Sequence, residues 1–237
     1  IDELYKVNKN VVVVIVSGNA VEMPWVDRVP SIVQSWYLGS IGGEALADVL
    51  TGKVTPSGKL PFSYPKKLED CPAHYYGNMS YPGDSISQEY KEDILVGYRW
   101  YDTKKVKPLF PFGYGMSYTS FDYGKLQASR KSISENDTLQ ISLTVKNSGH
   151  VDGKEIVQLY IGDEKCSVLR PVKELKEFAK VELKAGEEKQ ISFYIDADDL
   201  KFYDDKRNEW VVESGKFKAY VGASSADIRG VVEFEYK

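Results

Sequence analysis

The side chains best suited to chemistry in this 237-residue sequence are its carboxylates. Glycosidase chemistry needs two carboxyl groups facing each other across a sugar, and neighbours in sequence supply such a pair only if the fold brings distant groups together. Glu92 and Asp93 could contact sugar hydroxyls, but pairing with Arg99 is the favoured interpretation. Asp204 and Asp205 are predicted to be solvated in a turn. The other candidates are scattered: Glu22, Asp27 and Glu89.

Other catalytic and ligand-binding patterns are weak. His74 and His150 are predicted to lie in loops of different halves, and no serine has a GxSxG context, so a Ser-His-Asp triad is not expected. Gly39-Ser-Ile-Gly42-Gly43 precedes a helix but matches no phosphate-binding motif, and close helix packing explains its glycines better. Cys71 and Cys166 are far apart and form no CxxC pair. The sequence therefore predicts no metal site and no cofactor.

Charge and hydropathy exclude further classes of protein. The net charge is −4, with 31 basic and 35 acidic residues interspersed, whereas nucleic-acid binders usually carry a basic stripe. The tight cluster Lys104, Lys105 and Lys107 is interpreted as a solvated turn. The longest apolar run, 11–16, is too short to cross a bilayer. We therefore expect no nucleic-acid partner and no membrane span.

An aromatic segment organises the chain. Nine aromatic residues fall within the 33 positions from Glu89 to Phe121, together with glycines and prolines that set turns. Such a composition is unlike a flexible linker, which would be polar. We call residues 89–124 the aromatic strap and predict that it fastens one folded unit to another. Its aromatic residues are Tyr90, Tyr98, Trp100, Tyr101, Phe110, Phe112, Tyr114, Tyr118 and Phe121.

Residues 1–88, before the strap, are predicted to be α/β. The β-branched run Val11–Val16 is typical of a strand buried on both faces of a parallel sheet. A second strand is predicted at Val33–Tyr37, and a helix at Glu44–Thr51 with Gly52 as its C-cap. Residues 55–87 show no period and are predicted to be loop. Two strands and a helix are too few for a complete domain, so we expect an earlier part outside this sequence.

Residues 125–237, after the strap, alternate with a period of two. About seven short strands separated by turns predict a β-sandwich, and the missing Cys…Trp…Cys spacing favours the fibronectin type III-like kind. The predicted fold class is thus α/β plus all-β: the C-terminal part of an α/β sandwich domain followed by a fibronectin type III-like β-sandwich. The strands are predicted at residues 138–145, 155–161, 180–183, 189–195, 210–212, 216–221 and 231–236.

Several stretches together resemble the C-terminal part of glycoside hydrolase family 3, the β-glucosidase and β-xylosidase family. They are residues 11–67, the strap motifs YKEDILVGYRWYD and PLFPFGYGMSYTSF, residues 170–195 and residues 204–229. The similarity covers essentially the whole chain and is closest to periplasmic members of the Bacteroides and Prevotella type. A periplasmic or secreted location is implied by this resemblance alone.

The resemblance implies a complete enzyme of three domains. A barrel-like first domain carries an aspartate nucleophile, an α/β sandwich carries the acid/base glutamate on a loop, and a fibronectin type III-like domain packs on both. The family's Asp-Trp nucleophile pair occurs nowhere here. The acid/base glutamate is expected upstream of the strand that ends in Ser17-Gly18-Asn19. No catalytic residue is therefore assigned, and the substrate-binding residues are left unassigned.

The expected function is thus the C-terminal portion of a retaining β-glycosidase, most plausibly a β-glucosidase acting on terminal β-linked sugars of oligosaccharides. The chain alone is predicted to be inactive, and its expected partners are the missing barrel and α/β half, on the same or a second polypeptide. The alternative is a non-catalytic carbohydrate-binding or adhesion module. A flat exposed row of Trp and Tyr would favour that module, whereas burial of Tyr98, Trp100 and Phe112 favours a structural brace.

Trp25 and the loop Tyr75–Gln88 are the residues predicted to approach a substrate cleft. A purely protein-binding role for the outer face of the sandwich is a third possibility that the sequence leaves open.

Overall fold

The first part of the chain is an α/β segment. A computed structural model describes all residues, 1–237. Strands β1 (Val12–Ile15) and β2 (Ser31–Gln34) pair in parallel, with Val13 opposite Ile32. The helices are α1 (Asp2–Val7), α2 (Gly42–Leu50) and α3 (Pro72–Tyr75). The long stretch between α2 and the strap contains only α3 and one 3₁₀ turn, Leu68–Asp70, and agrees with the predicted loop.

Strand β1 is less buried than its sequence predicts. Only Ile15 is buried, and Val12 keeps 49 % of its surface exposed. The prediction of a strand covered on both faces is wrong for this chain, because β2 is its sole pairing partner and the packing of β1 is limited to the face that carries Val13 and Ile15. An all-parallel sheet normally has both faces covered. The β1–β2 sheet therefore presents unpaired strand edges and apolar side chains.

Helix α2 confirms the close-packing interpretation for Gly42 alone, since a Cβ at Gly39 or Gly43 would have no atom within 4 Å. A Cβ at Gly42 would lie 2.6 Å from the Leu38 Cβ, so the glycine permits close packing at the start of the helix. Gly52 follows the helix with φ +77°, the left-handed conformation expected of a C-capping glycine.

The aromatic strap contains a helix that was not predicted from the sequence. Helix α4 (Tyr98–Lys104) ends at Lys105, whose φ of 57° is left-handed. Beyond it the strap runs against the α/β segment, where Tyr64 and Phe110 form an isolated antiparallel bridge. The strap is therefore a folded connection that pairs with the first part of the chain before it enters the second.

The second part is a sandwich of two sheets. One has the order β5-β13-β12-β7-β8. In the other, β6 pairs with β9 along one edge and with β3 and β4 along the other. A hairpin, β10–β11, and a short helix, α5 (Ala197–Leu200), complete it. The strands are β3 (Phe121–Tyr123), β4 (Gln127–Ala128), β5 (Ser132–Ile133), β6 (Leu139–Asn147), β7 (Gly153–Asp163), β8 (Glu174–Leu183), β9 (Glu188–Ile195), β10 (Phe202–Asp204), β11 (Glu209–Val211), β12 (Gly215–Gly222) and β13 (Ile228–Tyr236).

The main core of the molecule lies between these two sheets. It comprises 21 buried residues, whereas the largest buried cluster elsewhere has 3. Strand β6 supplies Leu139, Ile141, Leu143 and Val145 at every second position, each at most 4 % exposed. This alternation is the pattern by which the strand was predicted. No helix in the molecule has the length and apolar content required to span a membrane.

Candidate functional site: the joint between the two domains

The predicted carboxylate candidates are not gathered into one site. Glu22 is exposed, and its Oε1 accepts a hydrogen bond of 2.8 Å from the Leu68 N–H. Asp27 lies exposed in a 3₁₀ turn, and Glu89 forms a 2.8 Å ion pair with Lys91. The Asp204 Oδ1 accepts from the N–H groups of Lys206 and Arg207, so this carboxylate shapes a turn. Asp205 is exposed in the same turn.

The favoured pairing of Arg99 with Glu92 or Asp93 is wrong. Arg99 instead lies 3.5 Å from Glu174 on β8, because α4 directs it toward the second domain. Asp93 is exposed, with φ +55°. Glu92 is only 8 % exposed, and its Oε2 has no hydrogen-bond partner.

The remaining candidates are dispersed. His74 lies in α3 rather than in a loop, and its ring packs 4.8 Å from that of Tyr81. His150 is in an exposed bend, as predicted. Cys71 and Cys166 form no disulfide. No three His, Cys, Asp or Glu side chains are placed together to hold a metal ion.

Two strap aromatics, Tyr98 and Phe112, pack where the two domains meet. The Tyr98 and Phe112 rings stack at 4.7 Å, and Tyr160 of β7 meets Tyr98 edge-on at 5.8 Å. Trp100 is 1 % exposed, but it packs within the first part of the chain, against Tyr75 of α3 at 5.0 Å. Tyr98 and Phe112 are half-buried. Tyr98 and Phe112 therefore lie as the brace interpretation requires, whereas Trp100 is buried away from the joint.

Gln158 of β7 is the polar centre of the joint. Its Nε2 donates to the carbonyl oxygens of Gly113, at 3.2 Å, and Ala223, at 2.8 Å. Its Oε1 accepts from the Tyr160 hydroxyl at 2.5 Å. A Cβ at Gly113 would lie 2.1 Å from the Gln158 Oε1, so only glycine allows the strap to come this close. A single amide thereby connects the strap to two strands of the sandwich.

Two buried ion pairs flank this amide. Lys173 lies 2.6 Å from Asp102 of α4, and their side chains are 10 % and 14 % exposed. Lys59 lies 2.9 Å from Glu155 of β7, at 11 % and 7 % exposure. Burial raises the pKa of Asp102 because its charged form is desolvated, and the hydrogen bond from Lys173 opposes that rise. Each ion pair joins one side chain from residues 1–124 to one side chain of the sandwich.

Backbone groups complete the joint. The Ser225 N–H donates to the Phe112 carbonyl at 2.9 Å, and the Leu175 N–H donates to the Tyr98 hydroxyl oxygen at 2.7 Å. The Thr55 hydroxyl donates to the Asp152 carbonyl at 2.9 Å. These bonds leave the two domains in direct contact, without a free linker between them.

The residues predicted to approach a cleft lie away from this joint. Trp25 packs against the small cluster around Met23 and borders a depression of about 340 Å³. The same depression is lined by Asp2 and Arg28, which pair with each other at 2.9 Å. The loop 75–88 is folded onto itself, with the Asp84 Oδ1 accepting two backbone N–H bonds.

Comparison with known proteins assigns the two domains. Residues 1–118 match the glycosyl hydrolase family 3 C-terminal domain, and residues 155–225 match the fibronectin type III-like domain. The chain carries the C-terminal domain of glycosyl hydrolase family 3. The predicted α/β plus β-sandwich fold class is thereby confirmed. The predicted boundaries at residues 88 and 124 stay predictions.

The relatives of this family 3 domain are longer proteins. β-Glucosidase BoGH3A of Bacteroides ovatus is 71 % identical over 236 residues, which are 100 % of this chain and 32 % of that protein. Thermostable β-glucosidase B of Acetivibrio thermocellus is 47 % identical, over 96 % of this chain and 30 % of its own length. An exo-α-(1→6)-L-arabinopyranosidase of Bifidobacterium breve is 39 % identical, over 98 % and 30 % respectively. The chain thus spans about a third of these relatives.

Solved structures agree with the fold. The crystal structure of the Bifidobacterium adolescentis GH3 β-glucosidase superposes with a TM-score of 0.92 at 39 % identity, over 99 % of this chain and 34 % of that one. DesR, a Streptomyces venezuelae β-glucosidase in complex with D-glucose, gives 0.91 at 38 % identity, over 98 % and 29 %. The relative placement of the family 3 and fibronectin-like domains therefore recurs in other chains.

Sequence reasoning found the strap but missed its partners on the sandwich. Gln158, Glu155 and Lys173 were not singled out, and neither was Lys59, the partner of Glu155 in the first part of the chain. A usable signal existed for one of them, because Gln158 interrupts the apolar run 156–161, and a buried polar residue in such a place needs a partner.

Proposed function

We propose that this chain is the C-terminal, non-catalytic portion of a retaining β-glucosidase that removes terminal β-linked sugars from oligosaccharides. The names of the relatives and the third of their length that it spans support the proposal. Retaining hydrolysis requires a nucleophile and an acid/base about 5–5.5 Å apart. We assign neither carboxylate to this chain and place both in the polypeptide that precedes it.

The role we propose for the chain is to brace the catalytic domains. The observation that carries this role is the joint around Gln158, where one side chain bonds two backbone segments of different domains. Buried, satisfied polar contacts of this kind fix one relative orientation. A brace of fixed geometry would hold the fibronectin-like domain against the domains that form the substrate cleft.

The β1–β2 sheet is the proposed contact for the preceding polypeptide. Val12 of β1 and Val16, directly after that strand, are 49 % and 65 % exposed, and both strands have unpaired edges. Open edges and apolar side chains of a parallel sheet are unfavourable in water. We propose that further strands of the α/β sandwich and the barrel cover them. A periplasmic or secreted location is proposed from the family resemblance, and cell fractionation would test it.

The test separates the chain from its proposed partner. The 237-residue chain and the preceding polypeptide, expressed separately, are assayed alone and mixed on an aryl β-glucoside. We expect no sugar release by the chain alone, release after mixing, and co-migration of the two polypeptides in size-exclusion chromatography. Turnover by the pure chain would overturn the assignment of both catalytic carboxylates to the other polypeptide.

A further inference from the structure

The β10–β11 hairpin presents two aromatic rings outward. Tyr203 and Trp210 are direct cross-strand partners, so their side chains emerge on one face of the hairpin. The neighbouring pair, Phe202 and Val211, points the other way, and Phe202 is 9 % exposed. One face of the hairpin therefore packs on the domain, and the other carries Tyr203 and Trp210. We call these two residues the hairpin aromatic pair.

The hairpin aromatic pair is exposed but held in place. Trp210 and Tyr203 keep 66 % and 48 % of their surface, and their rings meet at 5.7 Å and 70°. The Tyr203 hydroxyl bonds to the Asn208 Oδ1, and Asn208 adopts the left-handed φ of 56°. The Asp204 carboxylate accepts two N–H groups of the turn. The Tyr203 ring is thus held by its hydroxyl hydrogen bond, and the Trp210 ring packs edge-on against it.

The surroundings of the pair are polar and nearly neutral. Three acidic and two basic residues lie in the hairpin, and the Asn208 Nδ2 has no partner in the structure. An exposed aromatic face suits the apolar C–H face of a pyranose, and amide and charged groups at its rim can bond hydroxyls. The charged residues are Asp204, Asp205, Lys206, Arg207 and Glu209.

The hairpin aromatic pair suits a sugar better than a protein. A stable protein–protein contact buries about 800 Å² on each partner and is depleted of charge at its centre. Two rings next to five charged residues of the same hairpin offer neither. The near-zero charge of the hairpin also gives no attraction for polyanions.

We propose that Tyr203, Trp210 and Asn208 form an accessory binding site for a neutral β-linked glucan chain. Trp210 stacks on one glucosyl unit, Tyr203 borders it, and the Asn208 amide donates to a hydroxyl oxygen. No bond is made or broken there. The choice of a β-glucan as ligand rests on the proposed function; the site itself rests on the hairpin geometry.

The experiment is native affinity electrophoresis of the full 237-residue chain in gels containing barley β-glucan, with α-linked dextran as the comparison polymer. We expect β-glucan to retard the wild-type chain and dextran to leave its mobility unchanged. Trp210→Ala should lose the retardation, and Trp210→Phe, which keeps a ring, should retain more than half of it. The matched controls are Phe178→Ala and Tyr194→Ala, since both rings are similarly exposed, at 65 % and 56 %.

Several results would overturn the proposal. They are no retardation of the wild-type chain, equal retardation of wild type and Trp210→Ala, equal losses in the control variants, or preference for dextran. Circular dichroism of Trp210→Phe and Trp210→Ala checks that both are folded. Because binding needs no turnover, loss of the proposed β-glucosidase function would show in the mixing assay and leave this result unaffected.

Discussion

At the residue scale, the joint depends on charges that water cannot reach freely. The Asp102–Lys173 pair is less than 15 % exposed on either side. Burial raises the pKa of Asp102, so the folded chain binds this proton more tightly than the unfolded chain does. Ionisation of Asp102 therefore costs stability as pH rises from the usual aspartate range of about 3.9 through the raised pKa. Lys173 limits that cost.

Lys173→Met is expected to be much more destabilising at pH 7 than at pH 4. Burial raises the pKa of Asp102, so acid favours the neutral form, which needs no cationic partner, whereas higher pH favours a carboxylate that the variant leaves buried without Lys173. We expect the loss in unfolding free energy to be larger at pH 7 by about 1–3 kcal/mol, measured by urea denaturation at both pH values.

The control is Lys154→Met, which removes an ion pair with Glu182 on the same sheet. The Lys154 and Glu182 side chains are 47 % and 71 % exposed. Its effect should stay within about 0.5 kcal/mol at either pH. An equal loss for Lys173→Met at pH 4 and pH 7 would show that Asp102 ionisation does not matter to the joint.

Residue partners were the hardest feature to predict. The expected partners of Arg99 were its sequence neighbours Glu92 and Asp93, yet Glu174 meets it from the other domain. Local spacing cannot reveal a contact that is created only when a sheet and a strap pack together. No catalytic residue was assigned to this chain, because the family's Asp-Trp nucleophile pair does not occur in its sequence.

At the element scale, the periodic segments were predicted and, apart from β11, the strands of two or three residues were not. The seven predicted strands all exist, because alternation over several residues reports one buried face. Strands of two or three residues, such as β4 and β5, contain too few positions to show a period. Helix α4, Tyr-Arg-Trp-Tyr-Asp-Thr-Lys, is rich in residues of modest helix propensity, and burial of Trp100 and Tyr101 stabilises it.

The strap should be sensitive to any side chain at Gly113. Gly113→Ala places a methyl group in the position of the Gln158 amide, in addition to the strain of φ +78°. Gly186→Ala is a matched control, with φ +79° and open space around its Cβ position. We expect about 1–2 kcal/mol of destabilisation for the control and clearly more for Gly113→Ala, measured by chemical denaturation. Equal losses would mean that the Gln158 contact contributes nothing.

At the scale of the whole molecule, stability is distributed unevenly. The sandwich has a core of 21 residues, whereas β1 and β2 share a cluster with only 3 buried members. Elements with few buried contacts open locally at lower free energy than the global transition. The family 3 segment is thus the less protected part of this chain.

Hydrogen exchange should show that difference directly. Amides of β1 are expected to exchange at least about tenfold faster than those of β7, because opening β1 disrupts one strand pair and little core. Addition of the preceding polypeptide should slow exchange in β1 and leave β7 unchanged, as read by mass spectrometry of peptic peptides. Unchanged exchange in β1 after complex formation would contradict the proposed contact at this sheet.

The bonds of the joint end largely on main-chain atoms. Gln158 reaches two carbonyls, and Phe112, Leu175 and Asp152 each contribute a backbone group. A substitution replaces a side chain and leaves the backbone N–H and C=O groups in place. The backbone partner of each of these hydrogen bonds is therefore present with nearly any residue at its position. The relative orientation of the two domains can therefore be conserved in evolution while most of the side chains at the joint are substituted.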